Sequence, residues 1–259
     1  MPVAVDDRPA TNVSPDEIMT VAAARELRNG ASCFVGIGVP SLAANLARRT
    51  HAPDLTLIYE SGAIGAKPRV APMSIGDGEL AVTADAVVSV PEIFAYWLQA
   101  GRVDIGFLGA AQLDRFANIN TTVIGSYEAP TVRLPGAGGA PEIAADSGEV
   151  IIVMRQNRRT FVDRLDFITS LGNVGGKTSR ARLGLRGAGP RVVVTDLGIL
   201  RPDPESLELV LTDIHPGVDV AAVQDNTGWP LQVSDALKVT APPSQHDLTI
   251  LREIKGETT

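Results

Sequence analysis

Three observations predict an α/β fold, an open, mostly parallel sheet flanked by helices. Helical and strand patterns alternate through the first sixty residues, as they do when crossover helices join parallel strands. The strand segments are short runs of β-branched and aliphatic residues, which suit buried strands better than helices. Candidate functional residues, a lone glutamate, an amide-bearing turn and a glycine-dense loop, all fall at strand ends, where open α/β sheets bind ligands.

Residues 1–13 read as a disordered tail, and residues 14–259 as a single domain, since no repeat, low-complexity tract or linker-like break interrupts them. Ser14-Pro15-Asp16-Glu17 is a capping box with proline at the first helical position. The helix it opens carries Ile18, Val21, Ala22 and Leu27 on one face and stops at Asn29-Gly30. Ser32 to Ile37 is a buried strand, and Gly38 to Ser41 turns into a second helix that ends at Arg49. Gly36-Ile37-Gly38 lacks the third glycine and the downstream acid of a dinucleotide fingerprint, so its glycines are read as permitting close backbone approach. Cys33, inside the strand, reads as a small core residue.

The next apolar run, Leu55 to Ile58, leads into Tyr59-Glu60-Ser61-Gly62. A lone carboxylate at the carboxyl end of such a strand points into the ligand crevice; the same local sequence also describes a solvated turn acid. Gly65 to Asp77 is predicted to be an irregular loop, Ala86 to Val90 a strand, Pro91 to Ala100 a helix and Val103 to Leu108 another strand. After it, Gln112, Asn118 and Asn120 offer amides that either donate to a ligand or satisfy backbone groups of a convoluted loop. Gly136-Ala137-Gly138-Gly139-Ala140 is the most glycine-dense turn, suited to aiming consecutive N–H groups at one point, or simply to turning tightly into a short helix near Glu142 to Ala145. Val150 to Met154 is a strand, Phe161 to Thr169 extended and Leu171 to Gly189 a long loop. Strands at Val192 to Thr195 and Leu207 to Thr212, a short helix at Asp219 to Asn226 and a last helix capped by Ser244 and ending near Lys255 complete the chain.

Composition narrows the function. Of 259 residues 44% are hydrophobic, enough for a sizeable core. The net charge of −7, with cations scattered apart from Arg48-Arg49 and Arg155 to Arg159, argues against a nucleic-acid face. One cysteine forms no internal disulfide, which points to a reducing compartment, the cytoplasm. No signal-peptide pattern or apolar run of about 20 residues is present. His51, His215 and His246 are not in metal-ligand spacing, so a metal site is not expected and a Ser-His-Asp hydrolase is poorly supplied.

Six stretches, considered together, carry a family resemblance: Met19 to Arg25, Phe34 to Gly38, Ile58 to Gly62, Ser74 to Leu80, Phe107 to Gln112 and Leu134 to Ile143. From about Glu17 to Leu251 the chain resembles the β subunit of family I CoA transferases, in the branch of the 3-oxoadipate and glutaconate enzymes. The resemblance implies the CoA-transferase-like α/β fold, with Glu60 as nucleophile and the backbone N–H groups of Gly138 and Gly139 as oxyanion donors. It further implies that Gln112, Asn118, Asn120, Gly136 and Ala137 contact CoA or substrate. No bound cofactor or metal is implied, since the coenzyme A thioester is itself the substrate. The implied reaction, in aromatic compound degradation, moves CoA from succinyl-CoA or a similar donor to a dicarboxylic acid, 3-oxoadipate in the nearer branch. The implied partner is a separately encoded α subunit, in a heterodimer or α2β2 heterotetramer. An acyl-CoA hydrolase or decarboxylase of the same superfamily, a glutaconate-type transferase and a non-catalytic subunit are the alternatives. One departure stands out: Ala117 occupies a position where the family usually has glycine, which implies strain if the backbone there has a positive φ.

Overall fold

The computed structural model describes residues 6–174 and 179–257. The chain begins with α1 (Pro15–Arg25), β1 (Ser32–Val35), α2 (Val39–Arg49) and β2 (Thr56–Ile58), followed by β3 (Ala63–Ile64), α3 (Gly78–Thr83) and β4 (Ala86–Val87). Next, α4 (Val90–Glu92) continues as a π-helical segment, Ile93–Leu98, into β5 (Ile105–Leu108). Two small hairpins follow, β6 (Gln112–Leu113) with β7 (Ile119–Asn120) and β8 (Val123–Gly125) with β9 (Pro130–Arg133). Then come α5 (Ala140–Asp146), β10 (Glu149–Val153), α6 (Ser179–Arg182), β11 (Pro190–Val194), β12 (Gly198–Pro202) and β13 (Leu209–Ile214). The last elements are α7 (Val220–Asp225), β14 (Gln232–Val239) and α8 (Gln245–Lys255).

Among the described residues one sheet has the order β14-β13-β12-β11-β10-β5-β1-β2-β3-β4. Its centre, β11 to β2, is parallel throughout, as the early alternation predicts. Antiparallel strands β12 and β3 flank that centre.

Period-two alternation divides the central strands between two cores. Cys33, Val35, Leu57, Tyr59, Ile105, Phe107, Ile151 and Val153 pack on one face, beneath α1, α2 and α8. Phe34, Ile58, Leu108, Val150, Ile152 and Val193 face the other way, beneath the π-helical segment and α5, with Trp229. Both faces being covered explains why these strands read as continuous apolar runs. Each fully buried branched side chain contributes about 1.5–3 kcal/mol.

Ser14 and Ser244 close the capping boxes that open α1 and α8. Ion pairs then tie α8 to α1, Arg252 to Glu17 at 2.8 Å, and to α2, Glu253 to Arg49 at 2.5 Å. Residues 1–5 of the expected tail lie outside the described residues, but residues 6–10 are bound. Ala10 N donates to Pro243 O, while Gln245 N and His246 N donate to Arg8 O and Asp6 O. The first turn of a helix leaves N–H groups without acceptors, and these carbonyls supply them. Part of the expected Leu171 to Gly189 loop, residues 175–178, also lies outside the described residues; α6 forms within the rest. Phe161 to Thr169 is irregular where an extended run was expected, with bridges only at Phe161 and Ser170.

His215 is 1% exposed on the second half of the sheet. Its Nε2 donates to Thr195 O and its Nδ1 accepts from Thr240 Oγ1, both at 2.8 Å. Burial pushes its pKa below the ordinary value, so the folded state binds this proton less readily than the unfolded chain. The associated stability is complete above about pH 6.5, the unfolded value, and is lost as pH falls below it. The urea midpoint should therefore drop between pH 7.5 and 5.5, and His215→Gln should remove that drop; an unchanged pH slope in the variant would refute the assignment.

Candidate active site

Glu60 lies at the turn of the β2–β3 hairpin. The strand expected to deliver it stops at Ile58, Tyr59 N donates to Ala63 O at 3.0 Å, and Gly62 N donates to Tyr59 O at 3.0 Å. The flanking residues fix this turn. Tyr59 is buried, its hydroxyl 3.2 Å from Ser41 Oγ and accepting from Asn45 Nδ2 at 3.3 Å; burial raises the phenol pKa. Gly62 has φ +100°, and a Cβ there would lie 1.9 Å from Val88 O. No side chain fits at that position, so β4 approaches the turn directly. Glu60 itself is half-buried.

The glycine-dense loop reaches the carboxylate from the other side of the chain. Leu134 N and Gly136 N donate to Thr122 O and Thr121 O at 3.0 and 2.9 Å, and Ala140 N donates to Ala137 O at the entry to α5. Gly139 N then donates to Glu60 Oε1 at 3.3 Å. A Cβ on Gly138 would sit 3.8 Å from both carboxylate oxygens, and one on Gly139 would sit 3.1 Å from Oε1 and 2.5 Å from Phe94 Cζ. Gly139 has φ −87°, which any residue adopts. Space, rather than backbone conformation, demands glycine there. Gly138 N–H donates to no protein acceptor among the described residues, and Gly138 and Ala137 are exposed.

Phe94, which the sequence did not mark, completes the site. It projects from the π-helical segment, packs its ring edge on Gly139 and meets Phe34 at 5.6 Å between centroids. Nothing in a helix-like run between Pro91 and Ala100 connects residue 94 with residue 139, although π-turns cluster at functional sites.

The amides are placed differently. Asn120 is fully buried; its Nδ2 donates to Gln112 Oε1 at 2.8 Å and Val123 O at 2.6 Å, and its Oδ1 accepts from Thr122 N at 2.9 Å. Asn118 Nδ2 donates to Asp114 Oδ2, and its Oδ1 accepts from Gly172 N, each at 2.8 Å. Both asparagines therefore satisfy polar groups of the loop, the second of their two sequence readings. Asn120 Oδ1 holds the Thr122 N–H and Thr169 Oγ1 that of Thr121, and the carbonyls of these two threonines carry Leu134 and Gly136, so Asn120 acts on the glycine loop from behind. Gln112 Nε2 makes no hydrogen bond among the described residues, which leaves it an available donor. No cluster of three or more His, Cys, Asp or Glu arranged to hold a metal occurs among the described residues. A carboxylate held by the Gly139 N–H, with the free N–H of Gly138 next to it and an aromatic wall beside it, suits nucleophilic attack on an activated carbonyl.

Residues 16–226 match the Coenzyme A transferase family. The chain is 60% identical to the β subunit of the 3-oxoadipate CoA-transferase of Pseudomonas knackmussii, over 95% of this chain and 94% of that protein. The crystal structure of glutaconate coenzyme A-transferase from Acidaminococcus fermentans superposes with a TM-score of 0.88 at 34% identity, covering 94% of this chain and 95% of that one. The decarboxylase AibA/AibB superposes at 0.80 with 27% identity, covering 95% of this chain and 96% of that one.

Ala117 has φ +57° and is fully buried, with its carbonyl against Gly172. A left-handed L-residue costs about 1–2 kcal/mol, an amount that roughly offsets what glycine would lose in buried methyl and chain entropy. Ala117→Gly should accordingly change unfolding free energy by less than about 1 kcal/mol, whereas Ala43→Gly, in the buried interior of α2, should cost about 2 kcal/mol. Equal losses in denaturant titrations of the two variants would refute strain at position 117.

Proposed function

The chain belongs to the coenzyme A transferase family, and from that premise we propose that it is the β subunit of an enzyme moving CoA from succinyl-CoA, or a similar acyl-CoA, to a dicarboxylic acid, 3-oxoadipate. The 60% identity to the β subunit of a 3-oxoadipate CoA-transferase supports the acceptor. The observation that carries the chemistry is the Gly139 N–H on Glu60 Oε1.

In this reading Glu60 attacks the donor thioester carbonyl. The tetrahedral oxyanion accepts from the backbone N–H groups of Gly138 and Gly139, worth on the order of 3 kcal/mol per donor, and collapses to a mixed anhydride and CoA thiolate. The thiolate attacks the glutamyl carbonyl, giving glutamyl-CoA and the free donor acid. The acceptor carboxylate then reverses both steps. Each step exchanges one activated acyl group for another, so no bound cofactor or metal is invoked. Gln112 is the proposed side-chain contact to CoA or substrate, with Gly136 and Ala137 lining the approach. Asn120 is proposed to act by holding that loop from behind, and Asn118 by bracing, through Asp114 and Gly172, the turn that carries Gln112. Residues 14–259 work as one domain with a separately encoded α subunit, as a heterodimer or α2β2 heterotetramer. The proposed location is the cytoplasm, supported by the lone buried Cys33 and by the lack, among the described residues, of any helix long and apolar enough to cross a membrane.

A decarboxylase or hydrolase reading is kept open by the AibA/AibB likeness. The two readings differ in whether Glu60 becomes acylated. Borohydride added to the α/β complex with succinyl-CoA, but no acceptor, should reduce the Glu60 thioester and stop turnover irreversibly; an unmodified Glu60 in a fully active enzyme, or CoA release at the full rate without acceptor, would overturn the transferase reading. Glu60→Ala should lower transfer by on the order of 10⁴-fold or more. Gly139→Ala, whose methyl collides with Phe94 and Glu60, should lower kcat about 10²-fold or more with the circular dichroism spectrum unchanged.

A further inference from the structure

The Arg48-Arg49 doublet plays no part in the chemistry above, yet it opens onto a cleft of ≈ 580 Å³. Both arginines come from the last turn of α2, and Lys67 and Arg69 face them from the chain leaving β3. The cleft lies on the far edge of the sheet from Glu60. Helix α2 returns the chain to the amino end of β2 and β3 runs back the same way, whereas Glu60 follows the carboxyl end of β2.

The acids around the cleft are already matched. Glu253 pairs with Arg49 at 2.5 Å and Asp85 with Lys67 at 2.6 Å. Glu79 accepts from Arg69 N at 2.7 Å and lies 3.9 Å from its Nε. Arg48 is left over. It is half-buried, no hydrogen bond or ion pair engages it among the described residues, and its Nε is sealed from solvent without an acceptor. Burial first, and repulsion from Arg49 second, push its pKa down. A buried cation is ordinarily paired, and an unpaired one at the wall of an open cleft lined by three more cations is what an anion site requires.

We propose that this cleft binds the phosphate groups of a phosphorylated small molecule, with Arg48 as its central ligand and Arg49, Lys67 and Arg69 around it. Two sources share that chemistry: free inorganic pyrophosphate, and the phosphates of a free nucleotide separate from the thioester that reacts at Glu60.

Isothermal titration of the assembled α/β complex at low salt should show saturable binding of pyrophosphate, of adenosine 3′,5′-bisphosphate or of both, one per β chain, weakening as NaCl is raised. Arg48→Gln should reduce the affinity at least about tenfold, and Arg48→Lys should restore part of it. Lys67→Gln, at a half-exposed side chain, provides a second variant should Arg48→Gln fail to assemble, and should weaken binding several-fold. Tighter binding of pyrophosphate than of the bisphosphate identifies an inorganic source, and the reverse order a nucleotide; in either case KM for acyl-CoA should be unchanged in the Arg48 variant, and a raised KM overturns the separation of this cleft from the reacting site. Absence of saturable binding, or affinity undiminished in both variants, overturns the proposal.

Discussion

The close approach of the Gly139 amide to the Glu60 carboxylate is the contact on which the rest of this site depends. It brings together two stretches of chain 79 residues apart, and it survives only if three surfaces leave room: the hairpin turn at Gly62, the Phe94 ring and the backbone entering α5. Each is fixed by groups that never meet the carboxylate. Tyr59 anchors the turn through α2, Phe34 supports the ring, and Thr169 and Asn120 hold Thr121 and Thr122, from whose carbonyls the loop hangs. Glu60 is exposed to one side and clamped from the others, an arrangement that suits the nucleophile proposed above, which must be reachable by a bulky thioester but must not wander.

Much of this was legible in the sequence wherever local chemistry decides conformation. The serine capping boxes, the parallel alternation and the apolar strands of β1, β5, β10 and β11 follow from residue type and spacing. Glu60 and the glycine loop were legible as unusual chemistry at strand ends, and the family resemblance tied them together. Less could be read where tertiary contact decides. Strand β3 has two residues, too few for any period to register, and the strand expected over Ala86 to Val90 forms only as the two residues of β4. Asn118 and Asn120 carry the same groups whether they bind a ligand or brace a loop, and only their partners distinguish the two. Phe94 has no local signal at all; its meaning comes from what lies 45 residues further on.

The two edges of the sheet divide the labour. At the carboxyl ends of the parallel strands the chain gathers small residues and one carboxylate, so that backbone dipoles act at short range. At the amino end of β2 it gathers cations.

The bond between Asp6–Ala10 and the start of α8 has a consequence for biosynthesis. Arg8 and Asp6 offer their carbonyls to amides more than 230 residues downstream, so a segment that leaves the ribosome early has no place to settle until the last helix follows it out. Helix α1 is less dependent, since it packs on α2 and the central strands, and only its Glu17 awaits Arg252. The helical layer beside α1 and α2 is therefore completed only once residues 243–246 have been made, and the Asp6–Ala10 segment is fastened in the same step.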